Sequence, residues 1–316
     1  MHKHKKIINA ALISSAVLFT TWGINKLIFK ASGIKDTLFC ENSYTYAWRF
    51  GNIFYTRKGS GAPLLLIHDL KSTGSAAEWK SVSDKLAQSH TVYTLDLIGC
   101  GRSDKPKMTY TAYNYVQLIN DFIKEVIGSK ADVIASGSSS SFTILGCYSE
   151  PDYYNHILLV NPLSMKEIAL YPKANHKTLK CLLEMPLIGT TIYNTVHSRS
   201  SIRFELKKNT VNSNININKL TDTMYESSHI GGPAARYFYA SEKSYFTNIN
   251  MIHALKKINH SMCIIGGERQ ANICDTLDSY VSCNQSIETE ILKNCKAYPH
   301  LEQPRAFLNL CSIYLS

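Results

Sequence analysis

From residue 44 onward, short apolar runs alternate with longer stretches in which apolar positions recur every three or four residues. Tyr44–Arg57 alternates around Gly51-Asn52 and reads as a β-hairpin. Leu64-Leu-Leu-Ile67 is continuously apolar, the signature of a strand covered on both faces. A helix is predicted near Ala76–Gln88, a strand at Thr91–Asp96 and a helix near Tyr113–Gly128. Ala131-Asp-Val-Ile-Ala-Ser-Gly-Ser-Ser-Ser-Ser-Phe-Thr-Ile-Leu145 then runs a short strand through a knot of small residues into a helix at 141–149. A strand at His156–Val160 ends in Asn161-Pro162. This alternation predicts an α/β fold with a mostly parallel central sheet, flanked by helices through right-handed crossovers.

Between about Met165 and Lys257 the alternation lapses into helical patches, a Ser/Asn-rich stretch at Ser198–Asn218 and the turn Gly231-Gly-Pro-Ala-Ala235. That region reads as a helical lid over the carboxyl edge of the sheet, of the kind that shapes a pocket. The sheet resumes at Met262–Gly267 and Glu288–Leu292, and a helix closes the chain at Pro304–Tyr314. The expected division is thus 1–30, a linker at 31–43, core at 44–164, lid at 165–257 and core again at 258–316.

The amino terminus follows a different pattern. His2-Lys-His-Lys-Lys6 precedes an apolar stretch from Ile7 to Phe29, interrupted by Asn9, Asn25 and Lys26. About 23 helical residues reach about 34 Å, enough to cross a bilayer core. Gly23-Ile-Asn-Lys-Leu-Ile-Phe-Lys30 lacks a small-x-small cleavage site, so residues 1–30 are expected to form an uncleaved single-pass transmembrane anchor. Lysines flank it on both sides (Lys3, Lys5 and Lys6 against Lys26, Lys30 and Lys35) and leave its orientation open.

Composition adds little. The net charge is +10, but the basic residues do not alternate with aromatics along one face, so no nucleic-acid partner is expected. Nine cysteines without a Cys-x-x-Cys pair are expected to be mostly free thiols. The eleven histidines form no His-Glu-x-x-His, and no glycine-rich loop ends in Lys-Ser/Thr, so neither metal nor cofactor is expected.

Four landmarks within residues 44–316 give the chain a resemblance to the α/β-hydrolase fold, in the lidded branch of esterases, epoxide hydrolases and dehalogenases. Leu64-Leu-Leu-Ile-His-Asp69 is similar to the family's apolar strand ending in His-Gly. Tyr93-Thr-Leu-Asp-Leu-Ile-Gly-Cys-Gly-Arg-Ser-Asp-Lys-Pro106 matches its Asp-x-x-Gly-x-Gly-x-Ser loop, the most specific of the four. The serine knot resembles the nucleophile elbow, small-x-Ser-x-small. Pro299-His-Leu-Glu-Gln-Pro304 resembles the segment after the catalytic histidine.

The resemblance implies site residues, and departures from them. Two registers fit the elbow, Gly137-x-Ser139-x-Ser141 and Ser136-x-Ser138-x-Ser140. Ser139 is the preferred nucleophile and Ser138 the alternative, because Gly137 best tolerates a crowded turn. The amide of Ser140 is expected to face the oxyanion, with a second donor near Asp69 or Leu70 and His68 beside them. The family's acid falls on Gln270, with Glu268, Asp275 and Asp278 nearby. Its histidine falls on Ala297, with His300 three residues on, and His229 is a candidate base in the lid. Asp69 stands where the family has glycine and sets a carboxylate beside the oxyanion site. No acid occupies the elbow, which excludes an aspartate nucleophile there. Two expectations follow. The first is a membrane-anchored serine hydrolase acting on a carboxylic ester or similar small acyl substrate through Ser139. The second is a catalytically inactive protein of the same fold that binds a small apolar ligand or a protein.

Overall fold

The computed structural model describes residues 2–211 and 215–315, with side chains from residue 15 onward. Eight strands form one sheet: β1 (Ser43–Trp48), β2 (Gly51–Lys58), β3 (Ala62–Ile67), β4 (His90–Leu95), β5 (Ala131–Ser136), β6 (Tyr154–Val160), β7 (Met262–Gly267) and β8 (Ile287–Leu292). Their order is β1-β2-β4-β3-β5-β6-β7-β8. β1 and β2 are antiparallel, β2 meets β4 antiparallel, and the rest of the sheet is parallel. Period-two alternation splits the core between the two faces. Leu65 and Ile67 pack with Tyr115, Phe122 and Phe142 on one side. Leu64 and Leu66 pack with Trp79 and Phe307 on the other. Both faces are covered, so β3 at Leu64–Ile67, β5 at 133–135 and β6 at 157–160 are continuously apolar. The edge strand β8 carries Glu288 exposed and Glu290 half-buried, charges that discourage pairing with another edge.

The loop after β4 is held by Asp96, which is buried and accepts from the amides of Ala76 (2.6 Å) and Arg102 (2.7 Å) and from Arg102 Nε (2.8 Å). Burial raises this carboxyl, but the Arg102 guanidinium and the amides outweigh it and hold Asp96 below the ordinary value. Gly101 is required here: at φ +49 it passes so close that a Cβ would lie 2.3 Å from Asp96 Oδ2.

The region between β6 and β7 folds as helices, chiefly Ala174–Glu184, Ile188–Val196, Arg199–Asn209, Ile217–His229 and Ala235–Lys243. Three side-chain bonds fasten this cap to loops at the carboxyl edge of the sheet. Ser227 donates to the carbonyl of Gly74 (2.7 Å), the amide of Tyr110 to Ser241 (3.1 Å), and Ser72 to Glu242 (3.4 Å).

The expectation of a transmembrane helix is corrected here. Residues His2–Ser32 do form one helix of 31 residues, yet among the described residues no helix is long and apolar enough to cross a membrane. Length is sufficient, but Asn9, Ser14, Ser15, Thr20, Thr21, Asn25 and Lys26 dilute the apolar stretch. The anchor, the membrane partner and the membrane localisation inferred from it fall together. The carboxyl end of this helix docks on the cap instead. Asn25 is buried and exchanges hydrogen bonds with Thr191 (3.0 Å) and Asn194 (2.8 Å), while Phe29 packs against Tyr193 and His229. Beyond it, Lys35 pairs with Asp222 (2.7 Å), and the amide and hydroxyl of Thr37 donate to Glu226. The nine cysteines are free.

Two buried histidines lie at this junction. His229 donates from Nδ1 to the carbonyl of Tyr225 (2.9 Å), His197 to that of Tyr193 (2.9 Å), and both sit among tyrosine rings. Burial disfavours their charged forms, pushing His229 down to about 4 and His197 to about 3. Both values lie below the roughly 6.5 of an unfolded histidine, so between these limits the unfolded chain holds protons that the folded chain does not. Stability is therefore full above about pH 6.5 and falls as pH drops toward 4, by roughly 3 kcal/mol for His229 alone. Thermal unfolding followed from pH 8 to pH 4 is expected to show this loss, and His229→Gln is expected to flatten it. An unchanged profile in the variant would contradict the assignment.

Candidate functional site

The strand-to-helix turn falls at Gly137. β5 ends at Ser136, Gly137 adopts φ +53, and the helix runs Ser139–Ser149. Gly137 is thus the left-handed residue of the elbow, two positions before the serine that the sequence register favoured. Ser139 is the first helical residue, has no exposed surface, and donates from Oγ to the carbonyl of His68 (2.6 Å). The amide of Ser140 closes the turn onto the carbonyl of Gly137 (3.2 Å). Ser138 is the knot serine that retains partial exposure.

Asp69 reaches this turn from the end of β3. A Cβ built on Gly137 would lie 2.1 Å from Asp69 Oδ1 and 2.3 Å from its Cγ, so the carboxylate fills the volume an elbow side chain would occupy. The amide of Ser138 donates to the same Oδ1 (2.8 Å), and Lys71 Nζ pairs with Oδ2 (2.8 Å). Asp69 holds Lys71 well above the ordinary lysine value. The amide that a developing oxyanion would need is therefore occupied by a resident anion. Leu70 is buried beside it.

The histidines are committed elsewhere. The amide of Leu97 donates to His68 Nε2 (3.0 Å), which must carry no proton, so Nδ1 bears it and donates to the carbonyl of Asp69 (2.8 Å). His300 is fully buried, lies against Trp79 with ring centroids 4.4 Å apart, and has Nε2 3.4 Å from Glu78 Oε1. His229 is locked in the cap junction. Among the described residues, no imidazole nitrogen hydrogen-bonds to a serine of the knot. Gln270 lies in the turn after β7, its amide bonded to the carbonyl of Gly267 (2.9 Å). Glu268 accepts from the amide of Asn294 (3.1 Å). Asp275 and Asp278 lie on the helix Ile273–Cys283. Ala297 packs under the cap beside Ile202 and Tyr225.

Two residues that sequence reasoning missed organise this region. Glu78 is buried and accepts from the amide of Asp69 (3.1 Å), fixing the backbone that carries the plugging carboxylate. Asn161, at φ +44, donates to the carbonyls of Lys296 (2.7 Å) and Ala297 (3.0 Å) and accepts from the amide of Gly267 (2.9 Å). It ties together the loops that would bear an acid and a base. The one cue was Asn161-Pro162 at a strand end, where asparagine tolerates the left-handed region. Among the described residues, no group of His, Cys, Asp and Glu could hold a metal ion.

The sheet order, the cap over its carboxyl edge and the strand–turn–helix at 131–149 define an α/β-hydrolase fold. Solved structures agree. A serine hydrolase involved in carbazole degradation superposes with a TM-score of 0.71 at 16% identity, covering 86% of this chain and 98% of its own. An epoxide hydrolase gives 0.70 at 17% with coverage of 86% and 98%, and a membrane phospholipase A gives 0.69 at 17% with 100% and 98%. At such identities the likeness is one of fold. No family model matches the chain. An uncharacterized protein of Mycobacterium tuberculosis is 29% identical over 103 residues, 33% of this chain and 30% of the relative's length. A 2-hydroxy-6-oxo-6-(2'-aminophenyl)hexa-2,4-dienoic acid hydrolase of Metapseudomonas resinovorans is 22% identical over 267 residues, 83% of this chain and 87% of its own.

The geometry predicts a coupling between residues 69 and 137. Gly137→Ala is expected to cost roughly 3 kcal/mol or more, from overlap with the carboxylate added to left-handed strain. In an Asp69→Gly background only the strain remains, about 1–2 kcal/mol. Urea denaturation of the four proteins in this cycle measures the difference. Equal costs in both backgrounds would show that the carboxylate does not fill the elbow.

Proposed function

We propose that this chain is an α/β-hydrolase-fold protein that binds a small molecule beneath its cap without forming an acyl-serine. One observation carries the reading: the Asp69 carboxylate occupies the elbow volume above Gly137 and the Ser138 amide together. Acyl-serine catalysis needs a nucleophile at the turn, a base within reach and a vacant oxyanion hole. Here the turn residue is glycine, His68 has both nitrogens engaged, and the amide is taken. Ser139 donates away from the cleft, so its hydroxyl serves to tie the helix to the end of β3. What the site offers instead is a fixed pair of charges, with Lys71 38% exposed by its side chain and its ammonium near the Tyr298 ring (5.8 Å). Such a floor suits a polar ligand that bonds to Lys71, in place of the small ester or apolar ligand expected from the sequence.

Fluorophosphonate labelling tests the reading. The folded wild type, Ser138→Ala and Ser139→Ala are all expected to remain unlabelled. Reinstating the machinery with Asp69→Gly, Gly137→Ser, Gln270→Asp and Ala297→His together is expected to create labelling. Labelling of the wild type that one serine substitution abolishes would overturn the proposal and identify the nucleophile.

A further inference from the structure

We infer that the chain carries a second binding site, for a single-tailed amphipathic anion such as a medium-chain acyl carboxylate, in a cleft separate from the elbow. The cleft holds about 630 Å³ and lies where the cap helix Ile217–His229 faces the segments at 77–81 and 301–305. That volume is in the range of sites for small organic ligands. Its floor is apolar, formed by Ala77, Leu220, Leu301 and Pro304. Lys80, Lys219 and Arg305 also line it, and among the described residues none of the three is in an ion pair.

The neighbouring polar groups offset these charges only in part. Glu302 contributes the one carboxylate to the lining, and it is buried and turned to the amides of Lys296 (2.8 Å), Tyr298 (3.4 Å) and Val211 (2.7 Å). Ser81 donates to the carbonyl of His300 (2.9 Å), and Thr37 is engaged by Glu226. A ligand therefore meets an excess of positive charge, with the three exposed cations set against one buried carboxylate, beside an apolar wall. A carboxylate head satisfies the cations by charge-assisted bonds, and an unbranched tail covers the leucines and proline. A neutral alcohol lacks the first interaction and a short anion the second. Because cap and core each supply part of the lining, a bound anion joins them and stabilises the folded state by linkage.

The test is binding of decanoate to the full chain, at concentrations below micelle formation, by calorimetry and thermal shift. Decanoate is expected to bind saturably and raise the unfolding temperature, with decanol and acetate each binding at least roughly tenfold more weakly. The exposed-residue variant Lys80→Glu/Lys219→Glu/Arg305→Glu is expected to keep the unliganded unfolding temperature and lose decanoate binding by at least roughly tenfold. Lys71→Ala is expected to leave binding unchanged, which separates this cleft from the charge pair of Asp69 and Lys71 at the elbow. Equal binding of decanol, full binding by the triple variant, or loss in Lys71→Ala would each overturn the assignment. If the triple variant unfolds at a lower temperature, crosslinking of wild type by a diazirine-tailed decanoate decides: attachment at 219–223 or 301–305 supports the site, and attachment elsewhere refutes it.

Discussion

A carboxylate shielded from water must be met by hydrogen bonds or countercharge, and the region around the elbow is arranged to do this for Asp69. Its Oδ1 takes the Ser138 amide and its Oδ2 takes Lys71. Its own amide donates to Glu78, and its carbonyl accepts from His68 Nδ1 and from the amide of Lys71 (2.9 Å). Every polar atom of the residue is engaged. The carboxylate can sit there because residue 137 has no side chain. The family pattern that the chain resembles places glycine after the histidine of the third strand and a side chain at the elbow. In this chain the two are exchanged, so that space given up on one backbone is filled from the other.

That exchange explains the otherwise separate departures around it. With a resident anion at the oxyanion amide, a base at residue 297 would have no proton to collect and an acid at residue 270 no imidazole to orient. Ala297 instead packs beneath the cap, and Asn161 stitches its loop to the ends of the neighbouring strands. The cap is correspondingly fastened by Ser227, Ser241 and Ser72, and from outside by Asn25 and Phe29 of the N-terminal helix.

Much of the fold was legible in the chain, since continuous apolar strands such as Leu64–Ile67 and the Asp96–Ser103 loop follow from local chemistry. The elbow itself was visible too, but its register was not. Consecutive serines fit several frames equally by size, and the deciding quantity is a positive φ. Gly137 was the clue: it is the knot residue suited to that conformation, and it forms the turn itself rather than a small neighbour of the turn. Asp69 stood out as a departure, but where its carboxylate points depends on how β3 and β5 pair. Glu78 and Asn161 belong to no motif, and their roles arise only when distant loops meet. The N-terminal helix misled by its length. Its polar interruptions were in plain view, and Asn25 is buried against the cap, where it bonds to two side chains.

The bond between Asp69 and the Ser138 amide is the point on which this account rests. Hydrogen exchange at the Ser138 amide, with its proton shift, measured by NMR in the wild type and in Asp69→Ala, reads it directly. A protected, downfield amide that loses both properties in the variant is the predicted result. An amide that exchanges equally in the two proteins would contradict it.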